Sequence, residues 1–177
     1  MSATDKTRRL TTNAILLSLA LILAIVERWI PLELIVPVPG IKLGLANIVS
    51  LFALVRLRWT DALAILVMRC LIIGTFTGLT AFLFSITGGL LALVIMGFLV
   101  RWEGKVFSLI GISLAGAAAH NLGQISVAVL LLGEWRLLVT YLPPLLLTSL
   151  FTGTLTGVAA IPLITRFPLR GIYAAKR

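Results

Sequence analysis

Long apolar runs broken by short polar or charged intervals dominate this chain. With about 20 apolar residues needed to cross the hydrocarbon core of a bilayer, the runs predict spans at about residues 13–29, 43–57, 61–80, 82–100, 106–132 and 138–164. Residues 31–40 between the first two hold Pro31, Pro37, Pro39 and Gly40; residues 56–61 hold Arg56, Arg58 and Asp61; residues 101–105 and 133–136 are short polar turns. The break near Thr80 and Ala81 has no polar marker. It is required because one helix from Ala62 to Val100 would be far too long for a single crossing. The pattern predicts an all-α integral membrane protein of about six transmembrane helices, a single membrane domain over residues 1–177 with no appended soluble unit.

Composition sharpens that expectation. The chain is 60% hydrophobic and 12% charged with a mean hydropathy of +1.14, whereas a soluble domain carries roughly 25% charged residues. The net charge of +9 raises the question of nucleic acid, but that would need Lys and Arg gathered on one solvated face. Here they fill the gaps between apolar runs, where they meet lipid headgroups and set topology. The bilayer, not nucleic acid, is the expected partner. Lys6, Arg8 and Arg9 before a long apolar run superficially match the start of a signal peptide. No cleavage site interrupts that run as far as Ile30 except alanines among leucines, so the segment reads as an uncleaved first helix. The one cysteine, Cys70, lies inside an apolar run, excludes an intrachain disulfide and reads as packing.

The basic residues also orient the chain. An N-terminus in the cytoplasm puts Lys6, Arg8, Arg9, Arg56, Arg58, Arg101, Lys105, Arg166, Arg170, Lys176 and Arg177 inside, and only Arg28, Lys42 and Arg136 outside. That asymmetry predicts an even number of spans in the cell membrane with both termini cytoplasmic. Arg69 remains inside a span, either snorkelling toward the inner headgroups or taking part in a solute site. Residues 31–40 are too rich in proline for a regular helix. They form either a lid dipping toward the bundle or an ordinary stiff connection.

The polar groups with most chemical promise are His120, Asn121 and Gln124, in the middle of an apolar helix. His120 and Gln124 are one turn apart and share a face. Such groups are costly in lipid and point into a bundle or cavity, as a solute site or as interhelical hydrogen bonds. At about 1.5 Å per residue His120 lies roughly 20 Å along its helix, at a depth compatible with Lys42 and Asn47. A pocket of Lys42, Asn47, His120, Asn121 and Gln124 would offer a cation, amides and an imidazole to an anionic or strongly hydrogen-bonding solute, with Gly40 and Gly44 allowing close backbone approach. Thr75, Thr77, Ser85 and Thr87 are further lining candidates, unless their hydroxyls bond their own helices. Ala14 with Ser18, Ala20 with Ala24, Gly74 with Gly78 and Gly153 with Gly157 make strips for close helix approach, either within the bundle or to a partner.

Other chemistries lack their residues. There is no G-x-x-x-x-G-K-[ST] phosphate loop, the only aspartates are Asp5 and Asp61, and one histidine and one cysteine make no metal set of that kind. No metal and no cofactor are expected.

Three segments carry a resemblance: Arg9-Leu10-Thr11-Thr12-Asn13-Ala14 leading into Leu16-Leu17-Ser18-Leu19-Ala20; Pro39-Gly40-Ile41-Lys42-Leu43-Gly44-Leu45-Ala46-Asn47; and Ala119-His120-Asn121-Leu122-Gly123-Gln124. Together they resemble the Gx transporter family, also catalogued as heptaprenyl diphosphate synthase component I and similar to the S components of energy-coupling-factor (ECF) importers. The resemblance covers nearly the whole chain, and the segment around Lys42 is its most specific part. It implies an S-component-like bundle that captures a vitamin-like or cofactor-precursor solute and works with a membrane coupling subunit and two cytoplasmic ATPases. It also implies a docking strip near the cytoplasmic end of the first helix, at Ala14 and Ser18, where serine replaces the usual second alanine; Ala20 and Ala24 are the alternative. The family's other name implies a noncatalytic membrane partner in heptaprenyl diphosphate or quinone biosynthesis. Prenyl elongation needs clustered aspartates to hold magnesium, and no D-D-x-x-D cluster exists here, so the chain is not expected to be an enzyme by itself. A structural subunit of a redox or quinone-related assembly is a third class. Flavins, quinone precursors and isoprenoid-like compounds all remain open as solutes.

Reporter fusions after Arg58, Lys105 and Arg177 are predicted to report cytoplasm, and fusions near Lys42 and Glu134 the outside. An outside C-terminus would remove the six-span arrangement.

Overall fold

A computed structural model describes residues 3–29 and 44–167; the proposed lid at residues 31–40 and Lys42 lie outside the described residues. The described chain is α1 (Ala3–Arg28), α2 (Asn47–Arg56), α3 (Trp59–Thr77), α4 (Leu79–Leu99), a 3-10 turn (Val100–Trp102), α5 (Leu109–Leu132) and α6 (Arg136–Arg166). Five of these, all but α2, are long and apolar enough to cross a membrane. The fold is therefore the expected all-helical membrane bundle, with six helices among the described residues.

The helices and the apolar runs differ at their ends for physical reasons. α1 starts at Ala3, well before the apolar run, because a helix continues through a charged lead that hydropathy assigns to water. α2 has ten residues, about 15 Å, half the thickness of a hydrocarbon core. It begins only at Asn47 because Gly44, at φ +75°, turns the chain first and its carbonyl accepts from the Asn47 amide at 2.8 Å. α3 and α4 are separated by Gly78 alone, at φ +87°; a left-handed residue ends one helix and starts the next without any polar marker. α5 begins at Leu109, where the Ser108 hydroxyl caps it by accepting from the Gly111 amide at 3.1 Å.

Within lipid there is no hydrophobic gain from bringing one helix against another, so close packing and hydrogen bonds must hold the bundle. α5 occupies its centre, packed most extensively on α6 and α4. Glycines make both contacts possible. A Cβ on Gly123 would lie 2.8 Å from the Gly88 Cα, and one on Gly153 or Gly157 would lie 2.7 Å from the Leu114 Cα or 2.9 Å from the Ile110 Cα. The Gly153 and Gly157 strip is thus an intramolecular seam. Ser113 and Thr156 bond across it at 2.7 Å.

Two polar ties close one end of the bundle. Arg9 of α1 pairs with buried Asp61 of α3 at 2.7 Å, and the same carboxylate oxygen accepts from Asn13 Nδ2 at 2.8 Å. Asp61 also caps α3, accepting from the Arg58 amide at 3.4 Å, where a negative charge suits the helix dipole. Arg56 donates through Nε to the Ile164 carbonyl at 3.1 Å, and through Nη2 to the same oxygen, which ties α2 to the last turns of α6. α1, α3 and α5 all start at this clasped end and run to the far end. α1 is the least embedded long helix, with 17% of its apolar window buried against 56% for α5.

Replacing Gly123 by Ala is predicted to destabilise the protein by about 1–3 kcal/mol, since its neighbours are backbone atoms that cannot step aside. Gly111→Ala, whose Cβ would meet only the Ser108 hydroxyl at 3.5 Å, should stay within about 0.5 kcal/mol. Thermal unfolding in matched detergent compares the two.

Candidate functional site

A small cavity lies between the far parts of α1, α3, α4 and α5 and the chain leading into α2. Ala24, Glu27, Gly44, Arg69, Cys70, Ile73, Ser85 and His120 line it. Its volume is about 20 Å³, room for about one water; a vitamin-sized molecule enters only if the walls part.

Three charged or titratable groups meet here because three helices each contribute one to the lining. Glu27 comes from the last turns of α1, Arg69 from the middle of α3 and His120 from the middle of α5, and all three are buried. The Glu27 carboxylate accepts from the Gly44 amide, which fixes the approach to α2 against α1. Gly44 has no side chain to intervene: a Cβ there would sit 2.8 Å from Asn47 Nδ2 and 3.9 Å from His120 Cδ2. From the other side, a Cβ on Gly88 of α4 would lie 3.1 Å from His120 Cε1 and 3.0 Å from Gln124 Cγ. The imidazole is thus held between two glycines.

The residues singled out in the sequence separate into groups. His120 lines the cavity, and Asn47 stands beside it against Gly44. Gln124, 1% exposed, lies one turn further along α5 against Gly88, and among the described residues neither of its amide atoms has a hydrogen-bond partner. Asn121 faces elsewhere: its Nδ2 donates to the Leu145 carbonyl at 3.0 Å and the Ser149 hydroxyl at 2.9 Å, both on α6. Its observed bonds are those of a helix-to-helix tie. Lys42 lies outside the described residues. Ser85 lines the cavity, whereas the hydroxyls of Thr75 and Thr77 bond the Ile72 and Ile73 carbonyls of their own helix at 2.7 and 2.9 Å.

Arg69 is 7% exposed and lines the cavity, so it does not snorkel to a headgroup layer. Cys70 is buried beside it with Sγ 3.8 Å from Arg69 Nη2. Glu27 is the residue that sequence reading passed over. Its position next to Arg28 at the end of an apolar run resembles a water-facing helix terminus, yet an acid directly after Ile25 and Val26 was a visible signal. Ala14 and Ser18 lie on the exposed face of α1, with the Ser18 hydroxyl turned back onto the Ala14 carbonyl at 3.0 Å. Ala20, the alternative strip, is 1% exposed in the core beneath.

The family model described as heptaprenyl diphosphate synthase component I matches residues 16–163. Among curated proteins no match is found, and none among solved structures.

Asn121→Leu is predicted to lower stability by about 1–3 kcal/mol, through two lost hydrogen bonds to α6. Gln124→Leu should leave stability unchanged or raise it, since a buried amide without partners is replaced by an apolar chain. Equal loss from both substitutions would contradict this division of the cluster.

Proposed function

The chain belongs to the heptaprenyl diphosphate synthase component I family, and we propose that it is a solute-binding membrane subunit, the S component of an ECF-type importer for a small cofactor precursor. The observation that carries this reading is the cavity where Glu27, Arg69 and His120 converge inside an otherwise apolar bundle. Ionisable groups are retained in such places because they handle a polar solute. His120, Gln124, Asn47 and Lys42 supply hydrogen bonds and charge, and Asn121 holds α5 on α6 behind them. With the clasped end in the cytoplasm of the cell membrane, as the basic residues favour, the cavity opens toward the outside, the side from which an importer collects.

Energy then comes from elsewhere. A membrane coupling subunit and two cytoplasmic ATPases are the proposed partners, and the coupling subunit meets the exposed α1 face at Ala14 and Ser18. That face is smooth, because the Ser18 hydroxyl is satisfied within its own helix.

The family description favours a second reading, a noncatalytic membrane partner of a prenyl diphosphate synthase in heptaprenyl diphosphate or quinone biosynthesis. In that reading catalysis belongs to a soluble, aspartate-rich partner, and the cavity would hold part of an isoprenoid compound.

Gentle purification from native membranes, followed by mass spectrometry of associated proteins and retained small molecules, separates the two. Import predicts ATPases, a coupling subunit and a retained solute; Ala14→Leu or Ser18→Leu should strip the proteins and leave the solute bound. Recovery of a soluble prenyl synthase in their place would establish the second reading and sink the first.

A further inference from the structure

We propose that Arg69 is the anion-binding residue of the cavity, receiving a carboxylate or phosphate group of the solute. The inference deepens the solute-binding reading and rests on it for the identity of the cavity as a binding site.

A guanidinium stays charged at every physiological pH and presents five donors with no acceptor. Arg69 stands about 15 Å along α3 from its start at Trp59, a depth at which a charge is far from both headgroup layers. Its side chain is 7% exposed. Among the described residues its only hydrogen-bond contact is the Cys70 sulfur at 3.8 Å, a weak acceptor, and no carboxylate is within ion-pair distance of it. Glu27 lines the same cavity, but its observed bond is to the Gly44 amide on another wall.

The other partly buried arginines are treated differently. Arg9 is paired with Asp61, and Arg56 is directed onto the Ile164 carbonyl. This chain therefore supplies acceptors where an arginine serves packing, and at Arg69 it supplies a cavity. The surroundings also preserve the guanidinium's freedom: a Cβ on Gly89 of α4 would come 3.4 Å from Arg69 Nη2 and 2.6 Å from Leu66 Cδ1. A larger residue there would push into the space in which the guanidinium lies. Nearby, Asn47 Oδ1 and both amide atoms of Gln124 are buried without hydrogen-bond partners among the described residues, available to neutral polar groups of the same solute.

A buried cation with no direct ion pair is a burden on stability that an incoming anion relieves, whereas a structural arginine stabilises through partners it already has. The two roles predict opposite effects of removing the charge. The test uses the full chain in phosphatidylcholine nanodiscs, with unfolding followed in sodium chloride, acetate and phosphate at equal ionic strength. Both anions exceed the single water the cavity holds as it stands, so they enter with a smaller parting of the walls than a vitamin-sized solute requires.

Phosphate or acetate should raise the wild-type melting temperature by a few degrees over chloride, and whichever acts more strongly identifies the head group. Arg69→Lys should keep a smaller shift. Arg69→Met should show none, and in chloride it should melt above wild type. An Arg69→Met protein that melts below wild type in chloride, or one that keeps the full anion shift, overturns the assignment, as does a wild type that no anion stabilises. If Arg69→Met does not fold, Arg69→Lys decides: a reduced shift supports the assignment and an unchanged one overturns it. The importer reading fails separately. A wild type that retains no solute but shows an Arg69-dependent shift keeps the anion site and loses the importer, while Arg69→Met that still retains the native solute does the reverse.

Discussion

In a bilayer, polar atoms cannot fall back on water, so every donor and acceptor must find a partner inside the protein. That constraint requires backbones to come close enough for side chains to bond across them, and in this bundle glycine supplies the closeness. Gly88 against Gly123 brings α4 onto α5, and Gly153 with Gly157 brings α6 onto its other side. Once α5 and α6 are in contact, Ser113 reaches Thr156 and Asn121 reaches Ser149. The hydrogen bonds follow from the approach and then hold it. α5 becomes a fixed central post, and the cavity is built against the side of it that faces α3 and α4.

The same constraint sorts the polar residues by role. Asn121 completes a network with α6, while Gln124 is packed against Gly88 of α4 with its amide unanswered among the described residues. The two buried amides are three residues apart, about 60° around the helix, and meet different neighbouring helices. The α5–α6 seam is bonded through Ser113 with Thr156 and Asn121 with Ser149, while Asn47 Oδ1 and the Gln124 amide near Arg69 have no partner among the described residues. The unsaturation is what a binding site requires, because a solute displacing water must find donors and acceptors not already committed within the fold.

Much of this was legible in the sequence. Hydropathy marks where lipid lies, and it located the long helices; the charged intervals located several of their ends, and the length limit put the α3–α4 break near Thr80 and Ala81, just past the actual turn at Gly78. The polar triplet on α5 was equally visible. Side-chain direction was less so: His120 and Asn121 are adjacent, and a helix turns about 100° between neighbours, so one lines the cavity while the other bonds α6. Composition cannot distinguish these faces when both are flanked by alanine, glycine and leucine. Arg69 presented the same difficulty in a stronger form, since a long cationic chain can reach for headgroups or curl inward. The cavity beside Cys70 and Ser85, made with four other segments, decides between them. Glu27 was hidden by its place in the chain, where an acid next to Arg28 looks like the watery end of a helix until Gly44 folds over it.

The cavity's location also bears on how a solute could be admitted. Its walls on α3, α4 and α5 belong to the well-packed part of the bundle, joined through Gly88 and Gly89. The remaining wall is α1, the least embedded long helix, together with the turn at Gly44 that leads into the short α2. α1 is held by polar ties at its start, through Arg9 and Asn13 to Asp61, and near its end by Glu27 to the Gly44 amide. Movement costs least where the fewest packed contacts must be given up. The clasp at Asp61 lies at the other end from the cavity, so α1 can part from α3 near Glu27 while staying anchored at Arg9. Opening there gives up the Glu27 bond to the Gly44 amide and apolar contact along α1, and leaves the glycine seams of α5 intact.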